Sequence, residues 1–163
     1  HYRHLVNQVE EITAVIKQYV LERFEREYSL LIELPGVSAI VACVILSEIG
    51  PNVEAFKSQG NLASWAGVCP GSYESAGIKK SSHTTQGNKY LKSILFQAGG
   101  TAGRSKDEAF HNLYARISGR SSKMKAIIAC AHKMIRVIYK ILSTGEHYDA
   151  KKALGLRQQA RAN

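Results

Sequence analysis

Acidic residues are scarce where basic ones are dense. Residues 76–145 hold thirteen Lys or Arg against Asp107 and Glu108 alone, whereas residues 1–75 hold five against nine. The local charges are therefore +11 and −4, within a chain that carries +9 overall. A self-compensating surface alternates signs, so this pattern excludes one and points to a polyanion on one face. Nucleic acid is the first candidate and an anionic membrane the second. Cysteine is sparse too: Cys43, Cys69 and Cys130 are far apart and odd in number, which reads as reduced thiols of a cytosolic protein rather than a disulfide framework. His1 and His4 lie three apart, but no further ligand follows at zinc-site spacing. Apolar runs such as residues 37–46 are too short to span a bilayer. No signal peptide is evident. No paired Asp/Glu cluster is present that would hold metal ions as in a two-metal nuclease. If the chain takes part in phosphoryl transfer, part of that chemistry is expected elsewhere. It opens at His1 without a methionine and reads straight into a helix, so it is expected to be a piece of a longer protein.

What is present is helical, and 163 residues suit one domain. Leu5, Val9, Ile12, Ile16, Val20, Phe24, Tyr28 and Leu31 recur every three or four residues, with no Gly or Pro before Pro35. This predicts one long amphipathic helix, acting as a connector or coiled-coil arm over residues 1–33. Pro35-Gly36 stops it, and Ser38 is placed to cap a nearly apolar helix over 39–49. Further helices are predicted over 61–66, 89–98 (opened by Gly87 or Asn88), 108–117 (opened by Ser105 or Asp107) and 123–142 (opened by Ser121 or Ser122). No strand ladder is evident. The predicted class is all-α: a long N-terminal helix, then a helical domain over 34–145 containing a helix-hairpin-helix, then a polar, frayed tail over 146–163.

Two places suit phosphate. The turn Leu34-Pro35-Gly36-Val37-Ser38 reads as a helix-hairpin-helix, in which amides at the second helix's N-terminus would meet a nucleic-acid phosphate past the small residues Gly36 and Ser38. Glu27 and Glu33 beside it weigh against strong DNA contact. The second place is a loop rich in glycine and hydroxyls that turns basic, Gly71-Ser72-Tyr73-Glu74-Ser75-Ala76-Gly77-Ile78-Lys79-Lys80, followed by a helix opening at Gly87-Asn88-Lys89-Tyr90-Leu91-Lys92. Glycine permits close backbone approach, as Gly77 and Gly87 would here. Lys79, Lys80, Lys89 and Lys92 are candidate phosphate partners, acting as simple cations. Ser72, Tyr73, Ser75, Ser81 and Ser82 compete as nucleophile, since a serine hydroxyl needs a base, a metal or a cationic setting to attack. Ser75 has the small Ala76-Gly77 beside it and two lysines just beyond, and Glu74 is either a base or a solvated carboxylate.

The ordered set Leu34-Pro35-Gly36-Val37, Ile45-Leu46-Ser47-Glu48-Ile49-Gly50, Phe56, Leu62-Ala63-Ser64-Trp65-Ala66-Gly67-Val68-Cys69-Pro70, Glu74-Ser75-Ala76-Gly77 and Gly87-Asn88-Lys89-Tyr90-Leu91-Lys92, with Leu95 and Ala98, resembles the C-terminal domain of insertion-sequence transposases of the 110, 116 and 902 type. The resemblance covers roughly residues 30–142. It implies a DNA recombinase whose RNase H-like N-terminal domain, absent here, carries four acidic ligands for magnesium. No cofactor is implied in this chain itself. It implies a catalytic serine that forms a covalent 5′-phosphoserine link with DNA, and the family's Ser-x-Gly falls on Ser75-Ala76-Gly77. It also implies a structured guide RNA, a homo-oligomer (dimer or tetramer), no membrane partner, and a bacterial or archaeal cytoplasmic, nucleoid-associated setting. Two departures stand out. Glu74 occupies the place of a second serine common in the family, which keeps Ser72 as the alternative nucleophile. Ile78-Lys79-Lys80-Ser81 replaces a further glycine and a longer basic run.

Alone, the fragment is expected to be inactive. The rival readings are a non-catalytic helix-hairpin-helix module that grips nucleic acid by its backbone, and a structural oligomerisation domain built on the first helix. The charge pattern itself yields a test. If six to ten of the cations meet phosphates, affinity for DNA or RNA falls by about 10³–10⁵ between about 50 and 200 mM salt, read from binding isotherms across that range.

Overall fold

The computed structural model describes residues 1–69, 73–75, 78–81, 84 and 86–155, with 73–75 and 78–81 as backbone. Its elements in chain order are α1 (Tyr2–Ile32), α2 (Ala39–Ile49), α3 (Gln59–Trp65), β1 (Tyr73–Ser75), β2 (Ile78–Ser81), α4 (Lys89–Arg104), α5 (Glu108–Arg120), α6 (Lys123–Thr144) and α7 (Ala150–Gly155). The class is all-α, as the periodicity predicts. A short antiparallel hairpin is the addition, on a stretch whose sequence shows no ladder pattern. No helix among the described residues is long and apolar enough to cross a membrane.

Five helix starts, that of α3 at Ser58 among them, lie at residues whose side chains satisfy the otherwise unpaired first-turn amides. Ser38 Oγ accepts from Val41 N, Asn88 Oδ1 from Tyr90 N and Leu91 N, Asp107 Oδ1 from Phe110 N, and Ser122 Oγ from Lys125 N. The sequence left two candidates at three of these starts. Asn88, Asp107 and Ser122 are the residues that cap.

Helix α4 is the axis of the domain and packs against α2, α5 and α6. It runs past Ala98, where the sequence predicts an end, through Gly99, Gly100 and Gly103 to Arg104. Helix-interior glycine costs about 1 kcal/mol, but here the glycines are contact points. A Cβ on Gly99 would lie 2.7 Å from the backbone nitrogen of Ala131 in α6, and one on Gly103 would lie 2.6 Å from the Tyr114 ring of α5. Tertiary packing outweighs the propensity. The core beneath is apolar throughout: Leu31, Leu34, Ile45, Leu62, Leu91, Leu95, Phe110, Met134, Ile135 and Ile138 are fully buried, and no charged or polar residue is buried among the described residues.

Helix α1 joins this core only in its second half. Val20, Tyr28, Leu30 and Leu31 are buried, whereas Leu5, Val9, Ile12 and Ile16 of the same predicted stripe are exposed. The backbone at Phe24 leaves helical geometry (φ −137°, ψ 35°) near the point where burial begins. At the other end, residues 146–155 form a strap. His147 Nδ1 lies 2.7 Å from Glu33 Oε1, Tyr148 N donates to Glu33 Oε2 at 3.1 Å, and the Tyr148 hydroxyl donates to Asp107 Oδ2 at 3.0 Å. The bond with His147 holds the Glu33 carboxyl below its ordinary range, and burial, then Asp107, pushes the Tyr148 phenol up. With α7 and the buried Ala153, this segment packs on the domain over its described part.

The turn between α1 and α2 is fixed by contact with α4. Gly36 has φ +84°, and a Cβ there would run into the carbonyl oxygen of Ala98 and lie 2.9 Å from Ala102 N. Gly50, at φ +86°, has open space around its Cβ position. Both positions penalise an L side chain through φ, but only Gly36 adds overpacking. Gly36→Ala is therefore expected to destabilise the chain by about 1–3 kcal/mol more than Gly50→Ala, read from urea unfolding of the two variants.

Candidate functional site

The loop of interest leaves the C-terminus of α3 and returns at the N-terminus of α4, and its two ends are tied together. Ala66 and Gly67 close α3, with Gly67 in left-handed geometry (φ +71°) and its amide bonded to Ser64 O. Val68 N bonds to Ala63 O. From the other side, Asn88 N donates to Trp65 O at 3.0 Å. Gly87 lies so near that a Cβ on it would be 2.5 Å from Gly67 N and 2.7 Å from Trp65 O. The third strut is the Asn88 side chain. While Oδ1 caps α4, Nδ2 donates to Glu48 Oε2 in the last turn of α2. One residue thus joins the ends of α2 and α3 to the start of α4, beneath the loop.

The chain between these ends carries the β1–β2 hairpin. Ser75 pairs with Ile78, Glu74 with Lys79 and Tyr73 with Ser81, with a register shift between Tyr73 and Glu74. Ser75, Glu74, Lys79 and Lys80 therefore belong to one two-stranded ladder, with Ser75 the last residue of β1 and Ile78 the first of β2. Ser72, Ala76, Gly77 and Ser82 lie outside the described residues.

Lys89 and Lys92 occupy the first turn of α4, directly after the clamp. Lys89 is exposed, with Nζ 4.9 Å from the centre of the Tyr90 ring, which is itself largely exposed. Lys92 is half-buried, with Nζ 5.9 Å from the Phe96 ring. Gly36 and Ser38 are placed elsewhere. Ser38 is exposed at the start of α2, while Gly36 abuts α4 at Ala98, nine residues beyond Lys89 and so about 14 Å further along the helix at about 1.5 Å per residue. The close backbone approach at Gly36 is made to α4.

Two groupings carry no local sequence signal. The Glu48–Asn88 contact joins residues forty apart. Arg116, Lys133 and Arg136 converge with His132 on a cleft between α5 and α6. Burial, then Arg136, lowers the His132 pKa, and burial lowers that of Lys133. The three cysteines are free. Cys43 and Cys130 are buried, and burial pushes the Cys130 thiol up to about 11, so it stays protonated. No three His, Cys, Asp or Glu side chains converge as metal ligands among the described residues.

Comparison with known proteins adds a family match and three relatives. Residues 28–115 match the model of the transposase IS116/IS110/IS902 family. A protein of Sinorhizobium fredii named as a transposase, y4pF/y4sB, is 30% identical over 155 residues, covering 90% of this chain and 38% of the relative. The pilin gene-inverting protein of Moraxella lacunata is 28% identical over 155 residues, covering 91% of this chain and 48% of the relative. Its namesake in Moraxella bovis is 30% identical over 127 residues, covering 76% and 39%. The chain spans less than half the length of these relatives.

The clamp can be tested by removing it. Asn88→Ala loses the helix cap (about 0.5–2 kcal/mol) and leaves Glu48 without its donor (about 1–3 kcal/mol). A fall in stability of about 2–3 kcal/mol is expected by urea unfolding, with Asn88→Ser recovering about 1 kcal/mol by restoring the cap alone. Limited proteolysis should cut Asn88→Ala first between residues 69 and 87, where the tie is lost.

Proposed function

Because the chain belongs to the transposase IS116/IS110/IS902 family, we propose that it is the part of a DNA transposase or recombinase that supplies the attacking hydroxyl. Ser75 is the nucleophile in this reading. The observation that carries it is the hairpin: the Ser-x-Gly serine ends β1, Lys79 and Lys80 lie in the paired strand, and the whole rises from a clamped base. A fixed base counts because a nucleophile must be held close to its line of attack, and a misplacement of about 1 Å can cost about 100-fold.

The chemistry is a pair of transesterifications. Ser75 Oγ, giving up its proton to a general base, forms a bond to a DNA phosphorus. The bond from that phosphorus to the 3′ oxygen breaks, and the oxygen leaves as a 3′ hydroxyl on taking up a proton. The product is a 5′-phosphoserine. A 3′ hydroxyl of another strand then attacks the same phosphorus and returns the proton to Ser75, so no energy source is consumed. Lys79, Lys80, Lys89 and Lys92 neutralise the strands on either side as point charges. Gly77 and Gly87 keep side chains from crowding the backbone there. Magnesium, where bound, would stabilise charge on the phosphate oxygens. The described residues form no ligand set for it, so its carboxylates are assigned to a further RNase H-like domain of the whole protein.

Assembly with that domain, as a homo-oligomer and with a structured guide RNA, belongs to the same reading. So does a cytoplasmic, nucleoid-associated setting. The exposed first half of α1, with Leu5, Val9, Ile12 and Ile16 uncovered, supports an arm that reaches other domains or protomers.

The test is covalent trapping in the full-length protein with its RNA, donor and target DNA, and magnesium, followed by denaturation, nuclease digestion and mass spectrometry. An adduct on Ser75 is expected, and Ser75→Ala should lower strand transfer by about 10³-fold or more while DNA binding stays within about twofold. An adduct on Ser72 or Tyr73 keeps the reaction and moves the nucleophile. Strand transfer without an adduct overturns the phosphoserine route. Loss of binding together with transfer in Ser75→Ala favours a non-catalytic binding module.

A further inference from the structure

The groove between α5 and α6 has the make-up of a ligand site. Helix α5 contributes Ala109, Leu113 and Arg116, and α6 contributes Ala129, Lys133 and Arg136. On each helix these residues are four and three apart, so they form one stripe facing the other helix. Because Ala109 and Ala129 are small, the stripes do not fill the space between them. A cleft of about 330 Å³ is left, closed at one side by Ala153 and Leu154 of α7. That volume lies at the lower end of small-molecule sites, about 300–1,000 Å³.

Its electrostatics are one-sided. Arg116, Lys133, Arg136 and His132 line it, and no carboxylate does among the described residues. Two of the cations are anchored: Lys133 Nζ donates to Ala109 O at 2.8 Å, and Arg136 Nε to Gln59 Oε1 at 3.2 Å. Arg116 is different. Its Nε is buried and has no hydrogen-bond partner. A guanidinium keeps its charge at any ordinary pH, and a buried donor without an acceptor is costly. An anion in the cleft would satisfy it once the side chain turned its Nε toward the opening. Leu113, Ala129 and Leu154 add apolar lining to the cleft, a wall suited to a flat ring.

We propose that this cleft binds a nucleotide, with a phosphate oxygen accepting from Arg116 and the base against the Leu113–Ala129–Leu154 wall. The nucleotide is one splayed out of a bound strand, which rests on the reading of this chain as a nucleic-acid-binding transposase domain. A free mononucleotide offers the same chemistry.

The experiment titrates the 163-residue chain with adenosine 5′-monophosphate, adenosine, inorganic phosphate and a short single-stranded oligonucleotide, following binding by calorimetry and the His132 ring by NMR. The monophosphate is expected to bind at least tenfold more tightly than adenosine or phosphate and to shift the His132 signals. Arg116→Met should weaken it at least tenfold, and Ala129→Phe, which fills the cleft and keeps every cation, should do the same. Arg120→Met, an exposed cation on the same helix, should not. Circular dichroism checks that each variant folds, and either cleft variant alone suffices. A matching loss for the oligonucleotide in the cleft variants supports the splayed nucleotide. Monophosphate binding without any oligonucleotide binding makes the site one for free nucleotides and overturns the strand reading. Oligonucleotide binding unchanged by both cleft variants, with no monophosphate binding, overturns this inference and leaves the proposed function standing. Phosphate binding as well as the monophosphate reduces the cleft to a simple anion site and overturns the nucleotide assignment.

Discussion

Helix α4 can be approached by three neighbours at backbone distance because Ala98, Gly99, Ala102 and Gly103 present almost no side chain. The α1–α2 turn lies on Ala98 and Ala102, α6 lies on Gly99, and the Tyr114 ring of α5 lies on Gly103. Interiors are packed as densely as organic crystals, so contacts of this kind tolerate little added volume. Each neighbour's position is thereby set by α4, and so is the spacing between the neighbours. The groove between α5 and α6 is one consequence, since both helices are placed partly by what they touch on α4.

The same helix carries that rigidity to the loop. Its first residue follows Asn88, which bonds to Trp65 and Glu48 as well as to the α4 amides. The two ends of the loop that carries the hairpin are thereby held to the core, while its own two short strands would be marginal in isolation. Catalytic and binding residues are commonly carried by loops that a rigid scaffold positions, and here the scaffold is the junction of three helix ends. Gly67 and Gly87 are part of it, because the crossing of their backbones leaves no room for a Cβ on Gly87. The closeness read from sequence as room for a ligand at Gly87 is therefore used, at least in part, to close the loop on itself.

Much of this was legible in the residues. The helical class followed from the three-and-four spacing of apolar side chains, and the helix starts followed from Ser, Asn and Asp, whose short oxygens reach first-turn amides. The end of α4 was not legible, because Gly99-Gly100 reads as a stop until Ala131 is known to lie against it. The stripe on α1 was read as one face, but a periodicity does not say how much of a face is covered. The hairpin was missed because six paired residues split by a register shift show no clean alternation. In the candidate site, Ser75 and the lysines were visible from composition and from the family resemblance, since they are neighbours in sequence. The Glu48–Asn88 strut and the Arg116–Arg136 cleft were not, because each depends on a tertiary contact between distant segments.

The acids complete the argument about charge. Where carboxylates occur near the basic half, they are used in holding the fold: Asp107 caps α5 and accepts from Tyr148, Glu33 ties down the strap, and Glu48 holds Asn88. The two ion pairs found between described residues, His147 with Glu33 and Lys152 with Glu146, take no cation from residues 89–140. Lys92 aside, the Lys and Arg of α4, α5 and α6 therefore lack an ion-paired carboxylate among the described residues. A surface kept in this state repels itself and gains most from a partner that brings many negative charges at once, releasing that partner's counterions as it binds. The imbalance seen first in the composition is thus not cancelled by folding. Folding uses Asp107, Glu33 and Glu48 in the scaffold and, Lys92 aside, leaves the cations of α4, α5 and α6 without an ion-paired carboxylate among the described residues.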